Sequence, residues 1–340
     1  MTHAAKILAD SITTEGHRLT TFEVTFPRIV LAEFNTHRML WGTEGSDYPE
    51  FSRNSASSRA IPVEKMIKMV EENPYVPTHW GKNQKGMQAE EELGVVSREA
   101  SYHTWLAARD HAVKQATTLL DIGVHKQITN RLLEPFMWHT VIVTATEWGN
   151  WFHLRDNSMA HPEIKLAAEL MRDAMEKSTP LRLDDGQWHL PLCSELWQPA
   201  NQYPSKQEDL LHWRKISVGR CARVSYLTHD GQRNLQADSE LHDRLLEAGH
   251  MSPFEHVARP MTDYELERAT RIEVLARDEH NQLLFLVFLP EEDVGEVLET
   301  HKLALVRERE TAFCGNFQGW VQHRKLILGE EDILGYRDSA

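Results

Sequence analysis

The sequence predicts a mixed α/β fold in which strands alternate with long helices. Three stretches carry that prediction: the alternating run TFEVTF at 21–26, the β-branched run MWHTVIVTAT at 137–146, and the helical periodicity from Val95 to Ile122. In chain order, Phe22, Val24 and Phe26 alternate with Glu23 and Thr25, and the strand is read on through Pro27 into IVLAEF at 29–34. Pro27 marks an edge position or a bulge, because proline cannot donate to a sheet ladder. AIPVEKMIKMVEEN, residues 60–73, places Pro62 in a first turn and Val63, Met66, Ile67 and Val70 on one helical face. The next helix aligns Trp105, Leu106, Val113, Ala116, Leu119 and Leu120 and stops at Gly123. Met137 to Thr146 reads as a strand, and EIKLAAELMRDAME after Pro162 as a helix.

The polar segment 197–215, with two prolines, reads as a connector. Beyond it, LHDRLLEAGH closes a short helix at Gly249, LLFLVFL (283–289) is a strand, and EEDVGEVLETHKLALVRERE (291–310) reads as a helix. The chain divides accordingly into a first part, 1–196, a connector, 197–219, and a second part of the same fold, 220–340, with an insertion at about 263–312.

Thirty-seven basic against 51 acidic side chains leave a formal charge of −14, which opposes non-specific attachment to nucleic acid or acidic lipid. An anionic ligand therefore requires a local basic cluster. Cys193, Cys221 and Cys314 lie far apart without a Cys-x-x-Cys pair, which argues for a reducing compartment and against structural zinc. HExxH, GxGxxG and the Walker lysine loop are all missing, so no metal, Rossmann or P-loop chemistry is expected. The longest apolar run, LLFLVFLP, is too short to span a bilayer, and the start of the chain lacks a secretory leader, so a cytoplasmic protein without a membrane role is expected.

Three constellations carry polar chemistry. THRMLWGTEGSDYPEFSRNSASSRA (36–60) gathers His37, Arg38, Arg53, Asn54, Ser57, Ser58 and Arg59 between a strand and a helix. Guanidinium forks, short hydroxyl donors and free N–H groups at a helix start suit a phosphate, each charged hydrogen bond contributing roughly 1.5–3 kcal/mol. A solvated polar loop is the competing reading. NRLLEPF (130–136) and EWGNWFHLRDNSMAHPEI (147–164) set Arg131, Asn150 and Arg155 among apolar residues, although an exposed Arg155 at a helix end fits as well. CARVSY (221–226) and GHMSPFEH (249–256) let Ser252-Pro253 open a turn from which Glu255 and His256 project, where a histidine is most often structural.

Together these segments resemble the flavin-dependent thymidylate synthase family, in particular its longer, phage-type members. The family signature, Arg-His-Arg followed by Ser-x-x-Glu-x-Ser-x-Arg-Tyr, is matched in part by Thr36-His37-Arg38 and by Asn54 to Ala60. Arg131 to Pro135 resembles its Arg before a Leu-Pro turn. Asn150 to Arg155 and Ala160 to Ile164 resemble its Asn-Phe-x-x-Leu-Arg element and the segment that follows. Ala222 to Ser225 and Gly249 to His256 resemble motifs that open the family's chains but come late here, as in a circular permutation.

The resemblance implies a mainly antiparallel sheet with long helices, in a homo-oligomer, a tetramer by family precedent. It also implies reductive methylation of dUMP to dTMP with FAD, NADPH and methylenetetrahydrofolate. By the same resemblance Ser57, Arg59 and Arg131 hold the nucleotide, Arg155 the pyrimidine, and His37, Arg38, Asn54, Asn150 and His256 the flavin, with Arg155 and Ser57 closest to the chemistry. No cysteine falls in a matching motif, so thiolate attack on the ring is not expected. Thr36, Ser55, Ala60, Met159 and Glu33 depart from the family pattern. They leave open a sibling reaction, such as hydroxymethylation or action on dCMP, and a catalytically silent nucleotide- or flavin-binding homologue.

Overall fold

The computed structural model describes residues 2–36, 51–194, 207–229, 234–270, 272–277, 283–289, 304–307 and 317–327. Its first part runs β1 (Ala4–Ile12), β2 (Arg18–Pro27), α1 (Leu31–Asn35), β3 (Ser52–Ser55), α2 (Val63–Glu72), α3 (Val95–Ile122), α4 (Lys126–Thr129), β4 (Trp138–Ala145), α5 (Gly149–Arg155), α6 (Pro162–Glu176) and β5 (Leu181–Arg182). The second part adds α7 (Gln207–Ala222), α8 (Leu235–Glu247), β6 (Ala258–Pro260), α9 (Asp263–Thr270), β7 (Ile272–Arg277), β8 (Leu283–Leu289), β9 (Ala304–Arg307) and β10 (Trp320–Gln322).

The main sheet has the order β3-β4-β2-β1-β5, antiparallel throughout except for the short β1–β5 pairing. Its two faces differ in chemistry. One face presents Phe22, Val24, Phe26, Val141 and Val143 to α5 and α6, whose Trp151, Ile164, Ala167 and Met171 complete the largest apolar core. Pairing of Thr21 with Thr144 and of Thr25 with Thr140 puts a threonine row on the other face, where hydroxyls bond across the strands. Side chains alternate along a strand, so the TFEVTF pattern alone sorts phenylalanine from threonine. Over the threonine face, Leu8 and Ile142 meet Leu192, Cys221 and Val224 from the second part.

Several sequence expectations are corrected. The strand does not continue into IVLAEF; after β2 the backbone makes a 3-10 turn and enters α1, burying Val30 and Phe34 four residues apart. A short apolar run does not distinguish strand from helix by periodicity. Pro27 is on a central strand rather than an edge, but it is the last residue of β2, so the missing donor interrupts no inner ladder. β1 shows little β-branched character, with Ala5, Lys6, Ala9 and Asp10 in its sequence, and the pattern gave no sign of it. Residues 207–222 of the supposed connector region form α7, which buries Leu210, Ile216 and Val218; 195–206 lie outside the described residues.

Within the 263–312 insertion, α9 leads into a separate antiparallel sheet, β8-β7-β9. The end of the segment read as a helix at 291–310 is strand β9, while 291–303 lie outside the described residues. The helices at 63–72, 95–122 and 162–176 and the strand at 138–145 agree with the sequence, and Gly123 closes α3 at φ +89°.

α7 and α8 pack at backbone distance. A Cβ on Gly219 would lie 2.2 Å from the carbonyl oxygen of Asp238, so only glycine permits the approach. The same contact holds a buried ion cluster: Asp238 accepts from Arg220 Nε at 3.1 Å and from Arg223 Nε at 2.6 Å, and Arg220 Nη1 donates to the Leu192 carbonyl.

Candidate active site

The segment after β3 is a closely hydrogen-bonded turn. Ser57 N–H donates to the Ser225 carbonyl, Ser57 Oγ accepts from Arg59 N–H at 3.2 Å, and the Ser57 carbonyl accepts from Ala60 and Ile61. Arg59 is exposed, and its guanidinium has no partner among the described residues. Asn130, fully buried, donates to the carbonyls of Ser58 and Ile61, and Lys126 to that of Ala60, so the loop is tied at two points to the turn that carries Arg131 and at a third to α4.

Glu134 joins the two. Its Oε1 accepts from Ser58 Oγ at 2.8 Å, Arg131 Nη1 at 2.7 Å and Arg28 Nη2 at 3.2 Å. Burial works against the charge on Arg28, and Glu134 opposes that effect. Arg28 also bonds His139 Nδ1 at 3.0 Å. Because arginine only donates, that nitrogen accepts; burial, with Arg28 alongside, pushes the His139 pKa down to about 3 and keeps the ring neutral. Glu134 thus links Ser58, in the loop that also carries Ser57 and Arg59, to the turn that carries Arg131.

A second group lies where α1 ends. Arg155, at the end of α5, donates through Nη2 to the Glu33 carbonyl at 3.1 Å, and Arg53 Nη1 donates to the Asn35 carbonyl. Among the described residues, the buried Arg155 Nε and Glu33 Oε2 have no hydrogen-bond partner, although they belong to neighbouring residues of opposite charge. Asn150 sits in the first turn of the same short helix, half-buried. No described hydrogen bond or ion pair joins this group to Ser57, Arg59 or Arg131. His37 and Arg38 lie outside the described residues.

The third group comes from the second part of the chain. Ser252–His256 forms a 3-10 turn with Pro253 near its start, burying Phe254 and His256. Asn54 Nδ2 donates to the Cys221 carbonyl at 2.9 Å and its Oδ1 accepts from Ser252 Oγ, so one end of the amide ties α7 to β3 and the other ties the turn. Glu255 pairs with Arg324, and Gln322 Nε2 donates to Ser52 Oγ at 3.1 Å. His256 Nδ1 shares a 2.8 Å hydrogen bond with Thr144 Oγ1, while Nε2 is buried and unpartnered. Burial, with His189 nearby, pushes the His256 pKa down to about 3.

Burial raises the Cys221 thiol far above its ordinary value, which removes it as a nucleophile at neutral pH; Cys193 is buried beside it, and Cys314 lies outside the described residues. Among the described residues, no group of three or more His, Cys, Asp or Glu side chains is placed to hold a metal ion. Nor is any described helix long and apolar enough to cross a membrane. Sequence reasoning missed Glu134, although Arg131 and Glu134 stand three apart, a spacing that brings helical side chains together. It also missed Thr21, Thr144 and His189; the threonines were visible in the period-two pattern, the histidine was not.

Residues 13–181 match the thymidylate synthase complementing protein family. The matched stretch contains the loop at Ser57 to Arg59, Arg131 and Arg155 but not the turn that carries His256. None of the curated proteins matches the chain in sequence. Among solved structures, the chain is similar to two of the UMP/dUMP methylase PolB from Streptomyces cacaoi. The structure bound with 5-Br dUMP is 20% identical, with 49% of this chain and 69% of that one covered at a TM-score of 0.36. The structure bound with 5-Br UMP is 16% identical, with 53% and 90% covered at 0.40.

Proposed function

We propose that the protein is a flavin-dependent pyrimidine deoxynucleotide methyltransferase that converts dUMP to dTMP with methylenetetrahydrofolate and NADPH. The family match over 13–181 carries this reading, since it spans both the loop at Ser57 to Arg59 and Arg155. The local chemistry fits: the exposed Arg59 side chain, whose guanidinium has no partner among the described residues, shares a loop with Ser57 Oγ, and Glu134 ties that loop to Arg131, which supplies the basic cluster that a nucleotide phosphate needs on an acidic protein. The unpaired Arg155 Nε–H fits a pyrimidine carbonyl, where it would stabilise negative charge as it develops.

The unpartnered Nε2 of His256 fits the edge of a flavin; the family resemblance gives Asn150, His37 and Arg38 flavin contacts as well, and Asn54 acts through the turn it holds. Flavin, when bound, supplies the hydride exchange that reduces the transferred carbon. The chain's own residues neutralise phosphate, orient the base and exclude water from the ring face. A homo-oligomer belongs to the proposal as well; Val95, Val96 and Tyr102 at the start of α3 are exposed apolar surface.

One observation favours a second reading. Glu33 Oε2, buried and unpaired near Arg155, is an acceptor that suits the exocyclic amine of cytosine as well as the ring N–H of uracil. Mass spectrometry of nucleotides after incubation with FAD, NADPH, methylenetetrahydrofolate and mixed dUMP and dCMP separates the two. Methylated dUMP that disappears in Arg155→Ala, with flavin still bound, supports the synthase. A hydroxymethylated product or modified dCMP transfers the assignment to the sibling reaction, and flavin binding with no product to a silent homologue.

A further inference from the structure

Five side chains on the threonine face form an unbroken row of hydrogen bonds. Ser11 Oγ meets His189 Nδ1 at 2.8 Å, His189 Nε2 meets Thr21 Oγ1 at 2.7 Å, Thr21 Oγ1 meets Thr144 Oγ1 at 2.7 Å, and Thr144 Oγ1 meets His256 Nδ1 at 2.8 Å. All five are buried, the most exposed being Ser11 at 4%. The row begins on β1, crosses β2 and β4 and ends at the unpartnered Nε2 of His256. Both imidazoles are neutral near pH 7, since burial depresses each pKa to about 3.

A neutral imidazole carries one N–H and one acceptor nitrogen, and a hydroxyl has a single proton to donate. Each threonine hydroxyl has two partners in the row, so it donates to one and accepts from the other. Any other arrangement leaves a buried hydrogen without an acceptor or two protons facing each other. Only two arrangements fill all four hydrogen bonds of the row. In one, all donors point toward Ser11 and both rings carry the proton on Nδ1. In the other, all donors point toward His256 and both rings carry it on Nε2.

We infer that Ser11, His189, Thr21 and Thr144 are positioning residues that set the tautomer of His256, and with it whether Nε2 offers a ligand a proton or a lone pair. The coupling of the two rings stands on the hydrogen-bond geometry alone; the ligand at Nε2 rests on the function proposed above. A carbonyl or ring-nitrogen acceptor at Nε2 selects the second arrangement and turns His189, three hydrogen bonds away, to the same tautomer.

The test is long-range 1H–15N correlation NMR on the full chain labelled at histidine, at pH 7.5, with His189→Gln and His256→Gln used for assignment. Both rings should show the same tautomer. Opposite tautomers, or a protonated ring at this pH, overturn the relay. Addition of FAD should shift both rings in the wild type and in Thr144→Ser, but only His256 in Thr144→Val. Joint shifts that persist in the valine variant overturn the coupling, and an absence of shifts at either ring overturns the ligand placement while leaving the tautomer result to decide the relay. If Thr144→Val does not fold, Ser11→Ala serves from the far end. Loss of the acceptor for a His189 Nδ1 proton drives both rings to Nε2–H, and an Nδ1–H His256 in that variant refutes the inference.

Discussion

Replacing Asp238 by asparagine isolates the electrostatic part of the contact between α7 and α8. The side chain keeps its shape, but its negative charge is lost, and its NH2 group now opposes one of the two guanidinium donors. Arg220 is 1% exposed and Arg223 side-chain exposure is 30%, so the two partners are unequal. The buried Arg220 is left with no counter-charge from Asp238, a defect that costs about 3–5 kcal/mol. The half-solvated Arg223 contributes about 0–1 kcal/mol. With an unfolding entropy of about 2.1 cal/mol/K per residue, a 340-residue chain loses about 4–7 °C in Tm for the larger figure. Thermal melts at pH 7.5, followed by far-UV circular dichroism, should place Asp238→Asn in that range and Arg223→Ala within about 1 °C of the wild type. Equal losses in the two variants, or less than 1 °C in Asp238→Asn, would refute the assignment of the energy to the buried charge.

Other outcomes follow from burial. His139, His189, His256 and His323 have folded pKa values pushed down to about 3, against an ordinary value near 6.5, so below pH 6.5 the unfolded chain binds protons that the folded one does not. Stability therefore falls as pH drops from 6.5 toward 3, by about 1.4 kcal/mol per ring between pH 7.5 and 5.5. Urea unfolding at those two values measures it, and a flat profile would show that the rings are already protonated in the fold. Substitution of Cys193, Cys221 and Cys314 by serine should leave turnover measurable once the folded fraction is corrected for; complete loss in a folded triple variant would restore a thiolate mechanism.

The parts of the fold that were legible in the sequence are those where one side of an element is apolar. α2 and α6 show an apolar stripe, β2 shows alternation, and β4 shows a run of β-branched residues. β1 was illegible, as its alanines and charges give no alternation, and α1 was misread because an apolar run of its length suits either element. At the site, Ser57, Arg59, Arg131 and Arg155 were legible as residue types suited to anions. The link between the loop at Ser57 to Arg59 and the turn at Arg131 was not, since Glu134 and Asn130 act through carboxylate and carbonyl contacts whose positions depend on tertiary structure. The row that ends at His256 joins residues up to 178 positions apart, and no local pattern contains it.

That long reach has a consequence for how the molecule comes into being. Asn54 meets Ser252 across 198 positions and Ser52 meets Gln322 across 270, so the threonine face of the sheet stays open until residues made much later close over it. Contacts of such separation form late and slowly, because the loop entropy must be overcome first. During synthesis the emerging sheet can pack its phenylalanine face on α5 and α6 well before α7 and the turn at Ser252–His256 exist. A chain interrupted before that turn would hold a core and no His256, a half-finished product whose uncovered hydroxyl rows and strand edge would be the first surfaces a chaperone meets.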